Sequence, residues 1–314
     1  MAGLIVVAPE PLPLGPESGH DTPDLLVRWH DCADPCLSPR RPGAAPDWLH
    51  VETTGETVTY GFPGIGRIDV SRASPDVVLH PDPGTQQHTM WHLLLDQVIP
   101  LDLAERGELV LHAGSVAVGN GSARRAVLFL GESGTGKSTA ALGCVLSGAA
   151  LLGDDFARIS LDREGAQVVP ANTGVRLWED AAAAAPAGAA AHQVAEYTSK
   201  VRIGAAAESG SHRVTEPVPI GALAVLGDRL PEGARPTVEP IAPSGAFAQV
   251  LSQAFRLDVP PPHARVQSMD QAARLVDQVP AVRVRLPESL ADLAPACAQV
   301  LDRIADLAPI LPGG

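Results

Sequence analysis

Lysine is almost missing from this 314-residue chain, which has two, Lys137 and Lys200, against 21 arginines. Arg and Lys differ in shape and hydration, so a chain that draws its positive charge from Arg can keep Lys where a compact ammonium is required. For Lys200, chance is a fair competitor. Positive charge as a whole is scarce: 23 Lys and Arg stand against 36 Asp and Glu, a net charge of −13 with a pI near 5.1. That balance argues against nucleic acid and membrane surfaces as partners, which would be repelled overall, and leaves room for a local basic pocket. Aromatics are only 4% of a chain that is 45% hydrophobic, so its core has to be built mostly from Ala, Val and Leu. The four cysteines, Cys32, Cys36, Cys144 and Cys297, do not follow the pattern of a secreted disulfide scaffold. No uninterrupted apolar run reaches about 18 residues, so no transmembrane helix is expected. The opening MAGLIVVAPEPLPLG lacks a basic n-region and reads as a first strand rather than a signal peptide. A cytoplasmic protein is expected.

What is present falls into two modules. Residues 1–105 carry short apolar or alternating runs (LIVVA, DLLVRW, WLHVET, TVTYGF, RIDVS, DVVLH) separated by Pro, Gly and Asp turns, the pattern of a strand meander. Met90, Leu93, Leu94 and Val98 then recur at helical spacing. From residue 106 the expected order is LVLHAGSVAV and AVLFL as a hairpin, a Gly-rich turn, a helix from Lys137 to Ser147, and GAALLGDD as a third strand. FARISL and AQVVPA suggest a further hairpin. An Ala-rich helix, the strands IGALAVLGD and AVRVRLP, and three more helices complete the chain.

GESGTGKS, Gly131 to Ser138, fits G-x-x-x-x-G-K-[ST] in full, with an apolar strand before it and a helix after it. Gly131, Gly134 and Gly136 allow the backbone to curl with its N–H groups inward, at a helix start that favours anions. Lys137 would reach the terminal phosphates, the Ser138 hydroxyl would ligand Mg²⁺, and Thr139 would add a phosphate contact. Asp154 and Asp155 close the following strand, their side chains expected on opposite sides of it. One suits Mg²⁺ or its water shell, and the other suits a proton from an attacking hydroxyl. Spacing leaves open which does which. A nucleoside triphosphate and Mg²⁺ are therefore the expected ligands.

LHAGSV, GESGTGKST and GAALLGDD, in that order, resemble the HPr kinase/phosphorylase family and its wider set of HPr-kinase-like proteins. The likeness is dense over about residues 108–160 and looser through GVRLWEDA, YTSKVRI and PIGALAVL. It implies an α/β fold: a P-loop HPr-kinase-like domain at 106–314, preceded by a small, mainly β module at 1–105. It implies that His112 lines the phosphate site. Gly131, Glu132, Ser133, Gly134, Thr135, Gly136, Lys137, Ser138 and Thr139 would cradle ATP. Asp154 would be the base, Asp155 would assist Mg²⁺, and Lys200 and Arg202 would neutralise the transferring phosphoryl group. Relatives in that set phosphorylate protein, free serine or peptides in biosynthetic systems, including lasso-peptide kinases, and the family implies assembly into homo-oligomers. The Gly-rich signature of true HPr kinases is absent, with ANTGVRLWED in its place, so HPr itself and phosphorolysis are not expected.

The resulting expectation is a one-way kinase acting on a hydroxyl-bearing acceptor, a peptide, protein or small molecule. A nucleotide-binding regulatory module and a simple NTPase are the rivals, with a carboxykinase-like reaction further off. Arg176 and Glu179, beside Trp178, read as caps of the Ala-rich helix in preference to an acceptor pocket. His30, Cys32, Cys36 and His50 could supply zinc ligands, but C-x₃-C is not a standard pair, and a reduced, loop-borne cysteine pair is expected. Residues 205–216 are polar and could form a lid.

Overall fold

The computed structural model describes residues 6–7, 24–30, 48–171, 175–177, 191–195, 198, 200–203, 214–257, 262–289 and 291–307. The chain divides into two compact units. One is built mainly from Gly3–Ile99 with Gln193–Lys200, the other mainly from Pro100–His192 with Val201–Gly314.

In the first unit, β1 (Val6–Val7), β2 (Leu25–Trp29), β3 (His50–Thr54), β4 (Thr57–Phe62), β5 (Gly66–Ser71) and β6 (Asp76–Pro81) form one sheet, ordered β1-β2-β6-β5-β4-β3. Strands β3 to β6 are an antiparallel meander, and β2 joins β6 in parallel. Alternation sets the burial: Tyr60, Ile68, Val70, Val77 and Leu79 are buried, while the edge strand HVETT is largely exposed. Helix α1 (Gln87–Leu93) then runs through a π-helical turn (Leu94–Val98) into α2 (Ile99–Glu105). The π register ends beside Pro100, whose missing N–H cannot serve the carbonyl of Asp96. Met90, Leu93, Leu94, Leu95 and Val98 are fully buried, and Trp29 meets Trp91 edge-on at 5.8 Å.

The remaining chain gives β7 (Leu109–Leu111), β8 (Gly114–Val118), β9 (Arg125–Leu130), α3 (Lys137–Leu146), β10 (Ala150–Gly153), β11 (Ala157–Asp162) and β12 (Gly165–Val169). After these come β13 (Val175–Leu177), β14 (Ala191–Gln193), β15 (Val201–Ile203), β16 (Val218–Leu226), β17 (Thr237–Pro240) and α4 (Pro243–Gln253). The last elements are α5 (Pro262–Gln278), β18 (Ala281–Arg285) and α6 (Leu293–Leu307). Nine of the strands make one sheet, ordered β10-β8-β9-β16-β12-β11-β7, with β18 on β16 and β17 on β18. β16 is long enough to serve both branches: Pro219 and Val218 pair with β12, and Leu223–Leu226 pair with β18.

β9 shows why the sheet is covered on both faces. Val127 and Phe129 join the apolar cluster of α3 and α6, whereas Ala126, Leu128 and Leu130 join that of α4 and α5. A strand packed on both faces reads as a continuous apolar run, and RAVLFL does. LVLHAGSVAV is not one strand, contrary to expectation. It breaks at His112–Ala113, so that β7 pairs with β11 and β8 pairs with β9 and β10. The fold is mixed α/β. No described helix is long and apolar enough to cross a membrane.

Candidate functional site

β9 is flanked by β8 and β16, which fixes where the Gly-rich turn begins. Within it, Gly131, Gly134 and Gly136 have φ of +151°, +86° and +97°, backbone that a side chain would strain. Space is short as well: a Cβ on Gly131 would lie 2.7 Å from Thr135 Oγ1, and one on Gly136 would collide with the Arg229 guanidinium. Thr135 closes the turn from inside, its N–H and Oγ1 both donating to the Glu132 carbonyl at 3.3 and 2.8 Å. Glu132, Ser133 and Gly134 are exposed, and Ser138 and Thr139 are half-buried. Lys137 opens α3 and is buried, its Nζ donating to the carbonyls of Gly131 at 2.7 Å and Glu132 at 3.1 Å. The first N–H groups of a helix have no intrahelical partner, so this turn offers donors to an anion.

The acid pair lies close by. β10 runs along β8 with a bulge between Leu151 and Gly153, and ends there. A Cβ on Gly114 would touch both the Lys137 carbonyl, at 3.3 Å, and Asp154 Oδ1, at 3.4 Å. The Asp154 carboxylate is thus about one side chain's width from the first turn of α3. Asp154 is fully buried, and its Oδ2 accepts the Arg176 N–H at 2.8 Å. Asp155 has φ +66°, an uncommon backbone for a residue with a side chain. Its carboxylate pairs with the Arg176 guanidinium and lies 3.6 Å from His112 Nε2.

Most of the Ala-rich segment that Arg176 was expected to cap lies outside the described residues. Arg176 is buried on β13 and grips both acids, one through its main chain and one through its side chain. His112 occupies the β7–β8 break, where its N–H donates to the Gln253 carbonyl at 2.7 Å and its ring lies 6.1 Å from that of Phe255. The strand break at this position carried no local signal, because the residues flanking His112 stay apolar.

Arg202 sits on β15 directly across from Arg176. Lys200 directly precedes β15, its N–H donating to Thr198 Oγ1 at 3.2 Å and its carbonyl accepting from the Val194 N–H at 3.1 Å. Lys200 belongs to the first unit, Arg202 and the acid pair to the second. Cys32, Cys36, Trp178, Glu179 and residues 205–213 of the expected lid lie outside the described residues. Among the described residues, no three His, Cys, Asp or Glu are grouped to hold a metal ion. Cys144 on α3 and Cys297 on α6 are buried free thiols, and a hydrogen bond with Cys297 together with burial pushes the Cys144 pKa well up.

No family model matches the chain, and no curated protein matches it. Among solved structures, the Hpr(Ser) kinase/phosphatase from Coxiella burnetii is similar to it at 12% identity, over 63% of this chain and 90% of that one, with a TM-score of 0.34. At that score the likeness is distant, and what the site can do has to be judged from its own geometry.

Proposed function

We propose that the loop Gly131–Gly136 and the first turn of α3 bind the phosphates of ATP, and that the protein transfers the γ-phosphoryl group to an aliphatic hydroxyl. The acceptor would be a serine of a peptide or protein, or a small amino-acid-like molecule. The observation that carries this reading is the contact geometry at Gly114, which sets the buried carboxylate of Asp154 beside the helix turn that begins at Lys137. A glycine-rich turn with an ammonium suits a polyphosphate, and an acid next to it suits an entering hydroxyl.

In this reading Lys137 leaves the loop carbonyls it now holds and donates to the β- and γ-phosphate oxygens. The acceptor oxygen forms a bond to the γ-phosphorus as the bond to the bridging oxygen breaks. ADP leaves, and the hydroxyl proton passes to Asp154. Arg176 keeps the two carboxylates in place, and His112 lies beside Asp155 at the same mouth. A hydroxyl at Ser138 and a carboxylate at Asp155 fit the oxygen donors that Mg²⁺ takes, and the ion, when bound, would neutralise charge on the phosphates. Most of the rate would come from positioning and charge neutralisation.

The test uses the full chain with magnesium and labelled ATP against a panel of seryl peptides, free serine and simple alcohols. Asp154→Asn is expected to lower transfer by about 10²–10⁴-fold, the usual worth of a general base, while ATP affinity stays within a few-fold. Lys137→Ala should lose affinity itself. Transfer by Asp154→Asn at the wild-type rate would refute the assignment of the base. ATP hydrolysis that no acceptor diverts would identify a nucleotidase instead.

A further inference from the structure

β9 and β16 run parallel, so both strands end at the same edge of the sheet, where open α/β sheets bind ligands. β9 continues into the Gly-rich turn, and β16 continues into Gly227, Asp228 and Arg229. The two exits touch, since a Cβ on Gly131 would lie 3.6 Å from Leu226 Cβ. Arg229 then folds over the turn, its guanidinium packed on the Cα of Gly136, the residue before Lys137. Its backbone cannot drift. The neighbouring Leu230 donates to the Leu286 carbonyl at 2.9 Å and accepts from the Glu288 N–H at 3.0 Å.

Among the described residues, little occupies this guanidinium. One long bond, 3.4 Å to the Pro287 carbonyl, uses one of its five donors. Burial lowers the Arg229 pKa from its ordinary value, outweighing the support of Cys297 and Glu288. A cation held partly out of water beside helix-start amides gains from an arriving anion more than an exposed one does.

We propose that Arg229 is a second phosphate-binding cation of the loop, donating to oxygens of the phosphates seated on the first turn of α3. This rests on the polyphosphate reading of the loop and extends it: the ligand would be held by Lys137 from within the motif and by Arg229 from the neighbouring strand. Such a residue would set affinity for nucleoside di- and triphosphates without taking part in proton transfer.

Calorimetry on the full chain with MgATP, MgADP and inorganic tripolyphosphate provides the test, comparing wild type, Arg229→Met, Arg229→Lys and Lys137→Ala. Arg229→Met keeps the apolar stem and removes the charge. It is expected to weaken all three ligands by about tenfold or more, in line with a charge-assisted hydrogen bond, while Arg229→Lys recovers much of the loss. Wild-type protein that binds none of the three ligands would overturn the polyphosphate reading itself. If wild type binds and Lys137→Ala does not, unchanged affinity in Arg229→Met overturns the role of Arg229 alone. Weakening confined to the nucleotides, with tripolyphosphate untouched, would place Arg229 at the nucleoside and also overturn it. Equal loss in both Arg229 variants, with a lower unfolding temperature in the absence of ligand, would make the residue a packing element.

Discussion

Arg176 is the residue on which the two acids depend. It is 4% exposed, and removing one member of a buried charge cluster leaves the others uncompensated, at about 3–5 kcal/mol for a pair. Arg176→Met is therefore expected to lower stability by about 3 kcal/mol in urea unfolding. Asp155→Asn keeps a side chain that tolerates positive φ and removes the charge. The double variant should lose less than the sum of the two by at least about 1 kcal/mol. Strict additivity would mean that the pair is not coupled. The glycine turn that ends at Lys137 was legible in the sequence because its residues are contiguous. Arg176 was not, since its main chain reaches the Asp154 side chain across 22 positions and from another sheet, a contact that no local pattern encodes. Arg229 escaped for the same reason, arriving from a strand that neighbours the loop only in space.

At the scale of elements, α3 is held by α6 through an unusually close approach at Gly143. A Cβ there would lie 2.5 Å from Cys297 Sγ and 2.7 Å from Leu293 Cγ. Alanine normally favours a helix over glycine by up to about 1 kcal/mol, so the two effects oppose each other. Overpacking of a dense core costs about 1–3 kcal/mol and should win. Gly143→Ala is thus expected to lower the chemical unfolding midpoint, and a raised midpoint would show that the helices have room to part. Most strands could be read from alternation or apolar runs, and β11–β12 and β16 lie where the sequence puts them. The break at His112 could not be, because β7 and β8 are both buried and nothing polar interrupts them except the histidine itself. β17 was also missed: four residues ending in Pro on the outer side of β18 carry too short a signal.

For the molecule as a whole, acid stability should be limited by its first unit. His80 is buried there, 2.9 Å from Asp69 and with its ring 4.8 Å from that of His30. Burial lowers its pKa, outweighing the opposing pull of Asp69. The fold thus prefers the neutral ring, while the unfolded chain takes up a proton near pH ~6.5. The unfolded state binds more protons below that value, so the stability is complete above about pH 6.5 and declines as pH falls toward the folded pKa. Trp29, Trp48 and Trp91, three of the four tryptophans, lie in this unit and report its unfolding. Their fluorescence midpoint in urea should drop between pH 7.5 and 5.5, and His80→Gln should flatten the trend. An equally steep trend in that variant would assign the effect elsewhere.

The ammonium of Lys137 already satisfies two carbonyls of its own turn. Any guest must outbid this internal occupant before it gains anything, which sets an entry threshold. On the polyphosphate reading, a singly charged anion would gain less against these bonds than a densely charged tail would. The loop is, on that reading, guarded by the same group that would hold its ligand.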